Sequence, residues 1–165
     1  MLDDVIHGLV SLDAAADIYG TVVRGKPAGT GVPARFSVDA EATARRRGEL
    51  RKERIGRAVP AELWSRRDVA RSGHPLGEYL QYQGAGACAS VQCTWCGERL
   101  AKAAERWKER AVRRELPTTA GGPLRASAPG IVLRHFHCPN CATLLDTEVT
   151  LAQDAPLHDE VKLPS

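Results

Sequence analysis

Apolar side chains along this chain come in short, unequal groups separated by long polar stretches, so the pattern predicts small elements rather than one large core. Residues 10–20 carry Val10, Leu12, Ala14, Ala15 and Ile18, which predicts a short helix. Ser11 suits its N-cap, Asp13 its first turn and Gly20 its stop. Residues 24–36 are spaced by Gly and Pro and predict an open loop or linker. The alanines and charges of 37–57 predict a second helix capped by Ser37 or Asp39, with almost no apolar face. Such a helix is stable mainly where its stems and charges lie on something else.

Residues 60–83 scatter Leu63, Trp64, Val69, Leu76, Tyr79, Leu80 and Tyr82, a pattern expected of a connecting segment packed on a neighbour; 84–87 is a flexible GAGA run. From 97 to 116, Leu100, Ala103, Ala104, Trp107, Ala111 and Val112 recur at spacings of three and four, predicting the chain's longest helix. A turn-rich loop, 117–130, ends it. Two strands are expected after the loop: the run up to Cys138, and 143–151, where Leu145, Thr147, Val149 and Leu151 alternate with Asp146, Glu148 and Thr150.

Composition sharpens this picture. Aromatics make up 5% of the chain, methionine occurs once, and there are fifteen glycines and ten prolines. Large apolar side chains supply most burial energy, so a chain this poor in them needs a metal or a partner for order. The net charge of +3 is mild but uneven. Residues 45–71 hold ten basic and four acidic side chains, whereas 146–165 hold five acidic and one Lys. The first ten residues have acids where a secretion signal needs bases, and no run approaches the length of a membrane span, so a cytoplasmic protein is expected.

Four of the five cysteines form two C-x-x-C pairs, Cys93/Cys96 and Cys138/Cys141. Each pair turns two thiolates towards one point, and two pairs complete a tetrahedral shell. In a reducing compartment thiols serve metals rather than disulfides. The expected fold is therefore α+β: a small zinc-ribbon-like domain of two knuckles, a β-hairpin and one long helix, with extended helical N-terminal arms. The boundaries are 1–59 for the arm, 60–87 for the connector, 88–152 for the ribbon and 153–165 for an acidic tail.

The CTWCGE and CPNCAT motifs are similar to those of rubredoxin, which holds iron, but rubredoxins are short, acidic and aromatic-rich, so structural zinc is favoured. Four thiolates leave no open coordination position, which argues against metal-activated water. Cys88 has no partner at knuckle spacing. His135 and His137 share one strand face, as do Asp146 and Glu148, without a nucleophile near them. No Ser-His-Asp set or hydride-cofactor fingerprint is present, and the GKPAGTG run lacks the residue order of a phosphate loop. No catalytic residue is assigned. Basic residues from Arg99 to Arg114 raise nucleic-acid binding as an alternative, but Glu98, Glu105, Glu109 and Glu115 interleave with them and weaken it.

From the first knuckle onward the chain resembles the small zinc-containing subunit of acetone and acetophenone carboxylases. That family's pattern is a Cys pair, then W-K-x-x-A, then R-x-F/Y-x-C-P-x-C-G-T-x-x-D-x-E. Trp107, Lys108, Ala111, Arg134, Phe136, Cys138, Pro139, Cys141, Thr143, Asp146 and Glu148 meet it, and Ala142 stands where Gly is usual. The N-terminal segment resembles the C-terminal end of hydantoinase B-type subunits. The resemblance implies a biotin-independent ketone carboxylase, closer to the acetophenone branch, that uses ATP. ATP and Mg2+ or Mn2+ would bind large hydantoinase A- and B-like partners in a hetero-oligomer, and this chain would supply a non-catalytic subunit.

Overall fold

The computed structural model describes residues 1–26, 35–63, 73–85, 88–102, 105–122 and 125–158. The chain divides into two compact units, Met1–Glu53 and Arg54–Ser165.

In the first unit, helix α1 (Leu2–Ile6) precedes α2 (Leu12–Asp17), where Ser11 Oγ accepts from Ala14 N at 3.1 Å as the expected cap. Strand β1 (Val23–Lys26) pairs antiparallel with β2 (Arg35–Val38), so the flanks of the expected loop are a ladder instead. Residues 27–34, including most of the GKPAGTG run, lie outside the described residues. Helix α3 (Ala40–Ile55) starts at Asp39, whose Oδ1 accepts from Ala42 N at 2.8 Å. Its polar character is resolved by contact: Arg46 Nη2 lies 3.1 Å from Asp17 Oδ1, and Arg47 Nε donates to the Gly20 carbonyl at 3.1 Å. Val5, Ala15 and Val23 form a small buried cluster. The N-terminal arm is thus a packed unit with a hairpin, not an extended helical arm.

The second unit is built from two antiparallel meanders. In one, β3 (His74–Pro75), β4 (Leu80–Gln83), β5 (Ser90–Cys93) and β6 (Arg99–Lys102) lie in sequence order. In the other, β7 (Val112–Pro117), β8 (Ile131–His137) and β9 (Leu144–Leu151) do the same. Leu80, Tyr82, Val91, Leu100, Ala101 and Trp107 pack with Phe136 of β8 in the main core. Trp107 and Phe136 meet edge to face at 6.1 Å, a favoured aromatic geometry.

Two expectations are corrected here. Residues 80–83, placed in a connector, are an interior strand paired with β5 in the register Leu80↔Cys93. Trp64 and Val69 of that connector lie outside the described residues. The expected long helix over 97–116 does not form: its described residues are β6, a single 3-10 turn (Trp107–Glu109) and β7. The first knuckle decides this. Cys93 N donates to the Glu98 carbonyl at 2.9 Å and reverses the chain, so the residues beyond the knuckle run back along β5 as its partner. Helix propensity is a weak prior and yields to that pairing.

Candidate metal centre

Both knuckles have the same backbone construction. In the first, Gly97 N donates to the Cys93 carbonyl at 2.9 Å and Cys93 N to the Glu98 carbonyl at 2.9 Å. In the second, Ala142 N donates to the Cys138 carbonyl at 3.0 Å and Cys138 N to the Thr143 carbonyl at 2.9 Å. Gly97 and Ala142, each directly after the second cysteine of its pair, both take left-handed backbone angles, φ 76° and 60°. The two turns therefore present their cysteines in the same way from two different sheets.

The four sulfurs converge. All four Sγ atoms of Cys93, Cys96, Cys138 and Cys141 lie within 4.8 Å of one another. Cys93 and Cys141 are 3.8 Å apart, and Cys96 and Cys138 are 3.7 Å apart. A regular tetrahedron with Zn–S bonds of about 2.3 Å has edges of about 3.8 Å. A disulfide would need a separation of about 2.05 Å. The sulfurs thus sit at metal-shell spacing, and each close pair joins one knuckle to the other.

The surroundings suit a closed site. Cys93, Cys138 and Cys141 are buried and Cys96 is half-buried. Leu63, Trp95 and Leu145 pack around them. Trp95 Nε1 donates to the Leu63 carbonyl at 3.0 Å, and its ring meets Tyr79 edge to face at 6.3 Å. Asn140 Nδ2 donates to Cys96 Sγ at 3.7 Å, and Thr143 Oγ1 lies 3.1 Å from Cys141 Sγ, where its hydroxyl can donate to a thiolate. Arg57 Nη2 donates to the Pro139 carbonyl and holds the second knuckle from outside.

Four thiols this close share their protons unequally. Hydrogen bonding between Cys138 and Cys141 pushes the Cys138 thiol well above the ordinary range and pulls Cys141 well below it. A bound cation would remove this frustration, because a coordinating thiol is deprotonated outright. The four cysteines could therefore bind a metal ion such as zinc.

Beside the centre lies a buried charge network that spacing in the sequence did not disclose. Lys108 Nζ is 2.7 Å from Asp146 Oδ2 and 2.7 Å from Glu148 Oε1. Arg134 Nη1 reaches Glu148 Oε2 at 3.5 Å, and its Nε donates to Glu115 Oε1 at 3.1 Å. Arg134, Lys108 and Glu148 are 1%, 4% and 6% exposed, so these are interior ions and not surface pairs. The Lys108 ammonium also lies over the Phe136 and Trp107 rings, at 5.2 and 5.6 Å from their centroids. The segment after β9 closes the network: Arg134 Nη2 donates to the Asp154 carbonyl at 3.0 Å, and Leu157 N donates to Glu148 Oε1 at 3.0 Å.

The remaining candidates fall elsewhere. Cys88 is exposed and outside the cluster. His135 and His137 do share a face, with ring centroids 5.9 Å apart. His137 is buried, and burial followed by the nearby Arg54 and His135 lowers its pKa to about 4, so it is neutral. Asp146 and Glu148 are ion-paired with Lys108 rather than poised as an acid–base pair.

No protein-family model matches the chain. A stretch of 62 residues is 36% identical to the acetone carboxylase alpha subunit of Xanthobacter autotrophicus. The match covers 38% of this chain and 7% of that subunit's length, so it is a relation between a short segment and a much larger protein. It supports a relation to ketone carboxylase-type proteins. Among the described residues, no helix is long and apolar enough to cross a membrane.

Proposed function

We propose that this chain is a non-catalytic, zinc-stabilised subunit of an ATP-dependent, biotin-independent ketone carboxylase complex of the acetophenone carboxylase kind. The observation that carries this reading is the convergence of the motif residues. Trp107, Lys108, Arg134, Phe136, Asp146 and Glu148 meet in one buried network, and the four cysteines share its unit. The similarity to an acetone carboxylase alpha subunit points to the same class of assembly.

In this reading Cys93, Cys96, Cys138 and Cys141 hold one structural zinc. The ion ties the β4–β5–β6 meander to the β7–β8–β9 meander, and its full thiolate shell leaves no position for substrate. ATP with Mg2+ or Mn2+, and the ketone, bind in large hydantoinase A- and B-like partners in the cytoplasm. The small apolar core suits a chain that serves a larger assembly.

Two measurements test this. Metal analysis of protein purified without added metal is expected to give about one zinc per chain; iron with a rubredoxin-type absorption spectrum would replace the zinc assignment. Affinity purification at native expression should recover large hydantoinase A- and B-like chains. Recovery of nucleic acid instead, with steeply salt-dependent binding by the isolated chain, would overturn the carboxylase reading.

A further inference from the structure

Strand β9 forms one edge of its sheet, and the ladder fixes which of its backbone groups face that edge. The β8–β9 register pairs Leu133 with Val149 and Arg134 with Glu148, and Ala152 N donates to the Gly130 carbonyl at 2.9 Å in the same register. Opposed residues of an antiparallel pair alternate between bonded and non-bonded. Asp146, Glu148, Thr150 and Ala152 therefore direct their backbone groups to β8, and those of Thr147, Val149 and Leu151 point to the open edge. Two of the outward groups are engaged within the chain: Thr147 N donates to Asp146 Oδ1 at 2.8 Å, and the Leu151 carbonyl accepts from Asp154 N at 3.1 Å. Among the described residues, nothing bonds the Thr147 carbonyl, the Val149 N–H and carbonyl, or the Leu151 N–H.

That remaining set is complementary to itself. When two copies of β9 run antiparallel with Val149 at the centre, each Val149 N–H meets the Val149 carbonyl of the other copy. Each Leu151 N–H meets the other copy's Thr147 carbonyl. The same pairing would set Thr147 N–H against the Leu151 carbonyl, and these are the two groups already satisfied internally.

The side chains agree. Val149 is 67% and Leu151 42% exposed, and they share one face with Thr147. Pairing would lay Val149 on Val149 and Leu151 on Thr147. Asp146 and Glu148 lie on the other face, held by Lys108, and Glu148 would be opposed by Thr150 rather than by its own copy. No proline or lysine guards β9, whereas the opposite edge of the sheet, β7, carries Arg113, Glu115 and Pro117.

We propose that β9 is a homodimerisation edge, which joins the three-stranded sheets of two chains into one across a two-fold axis at Val149. The pairing consumes the open groups of β9 and β7 is guarded, so the assembly closes at two chains. The inference does not depend on the carboxylase reading.

The test is sedimentation equilibrium of the zinc-loaded full chain up to about 100 µM, because pairing of one short strand gives a small, weak interface. A concentration-dependent rise from 17.8 kDa to twice that mass is expected. Val149→Lys and Val149→Glu each place like charges opposite one another and should raise the dissociation constant roughly tenfold or more. Val149 is exposed, so near-ultraviolet dichroism of both variants should match wild type. Mixing the two variants should restore a dimer, because residue 149 then meets its opposite charge across the axis. A chain that stays monomeric throughout, a dimer indifferent to Val149→Lys, or a mixture that stays monomeric would overturn the proposal. So would a monomer whose binding to a large carboxylase subunit is lost on Val149→Lys, which would assign the edge to that partner.

Discussion

Ala142 occupies, at φ 60°, a backbone position that the first knuckle gives to Gly97 at φ 76°. A non-glycine residue there costs roughly 1–2 kcal/mol, offset in part by a less flexible unfolded chain. Around Gly97 nothing lies within 4 Å of an added Cβ, so Gly97→Ala is a nearly pure backbone change and is expected to cost about 1 kcal/mol. Ala142 is fully buried, so Ala142→Gly relieves strain but loses a buried methyl worth about 0.8 kcal/mol; its net effect should be near zero. Denaturant midpoints of the metal-loaded variants check both. A large stabilisation by Ala142→Gly would show that the methyl contributes little.

Lys108 makes a second residue-scale case. Replacing it by Met strips buried Glu148 of its closer cation and leaves it only Arg134 at 3.5 Å, which should cost about 3 kcal/mol, whereas exposed Lys102→Met should cost less than about 0.5 kcal/mol. Burial would lower the Lys108 pKa, but hydrogen bonds to Asp146 and Glu148 outweigh it and raise the folded value above 10.5. A raised lysine pKa contributes stability that is complete below the unfolded value and lost as pH climbs through the folded one. From neutral pH upward, the stability gap between wild type and Lys108→Met should therefore stay constant to about pH 10.5 and shrink above it.

At the scale of elements, local signals were legible and long-range ones were not. The Ser11 cap, the Asp39 start of α3 and the β8–β9 hairpin follow from neighbouring residues. The sense of the β9 alternation does not. Leu145, Val149 and Leu151 are the apolar members of that alternation, yet Val149 is 67% exposed and Glu148 is buried, because Lys108 and Arg134 wait on that side. The stretch from 97 to 116 failed for a related reason. Its spacing satisfies a helical stripe, but Leu100 and Ala101 enter one core as neighbours in β6, where the β5–β6 register shifts by one residue. The four cysteines were legible because C-x-x-C spacing encodes its own geometry; the charge network was not, because its members lie 14 to 40 residues apart along the chain. Backbone chemical shifts check the corrected elements: residues 99–102 and 112–117 should be extended, and a helical signature there would contradict β6 and β7.

For the molecule as a whole, the question is what holds two thin meanders together in the second unit. Among the described residues, their shared apolar cluster is seven buried side chains, and Phe136 is the member that comes from the second sheet. Layers this small bury too little apolar surface to offset the entropy of ordering the chain comfortably. A metal held by the cysteine cluster would add cross-links at the strand ends, since Cys93 leaves β5 and Cys138 follows β8. Binding that needs the assembled shell adds its free energy to folding, and for structural zinc this reaches about 10 kcal/mol or more in small domains. Removing the metal with a strong chelator should therefore do more than lower a midpoint. Trp107 and Phe136 should lose their fixed edge-to-face packing, seen as collapse of near-ultraviolet dichroism, and restoring zinc should recover it. A Cys138→Ser chain should behave as the chelated protein does without chelator, because three sulfurs no longer close the shell. If the tertiary signal survives both treatments unchanged, the meanders are held by Phe136 and the Lys108 network alone, and the cysteines do not carry the fold.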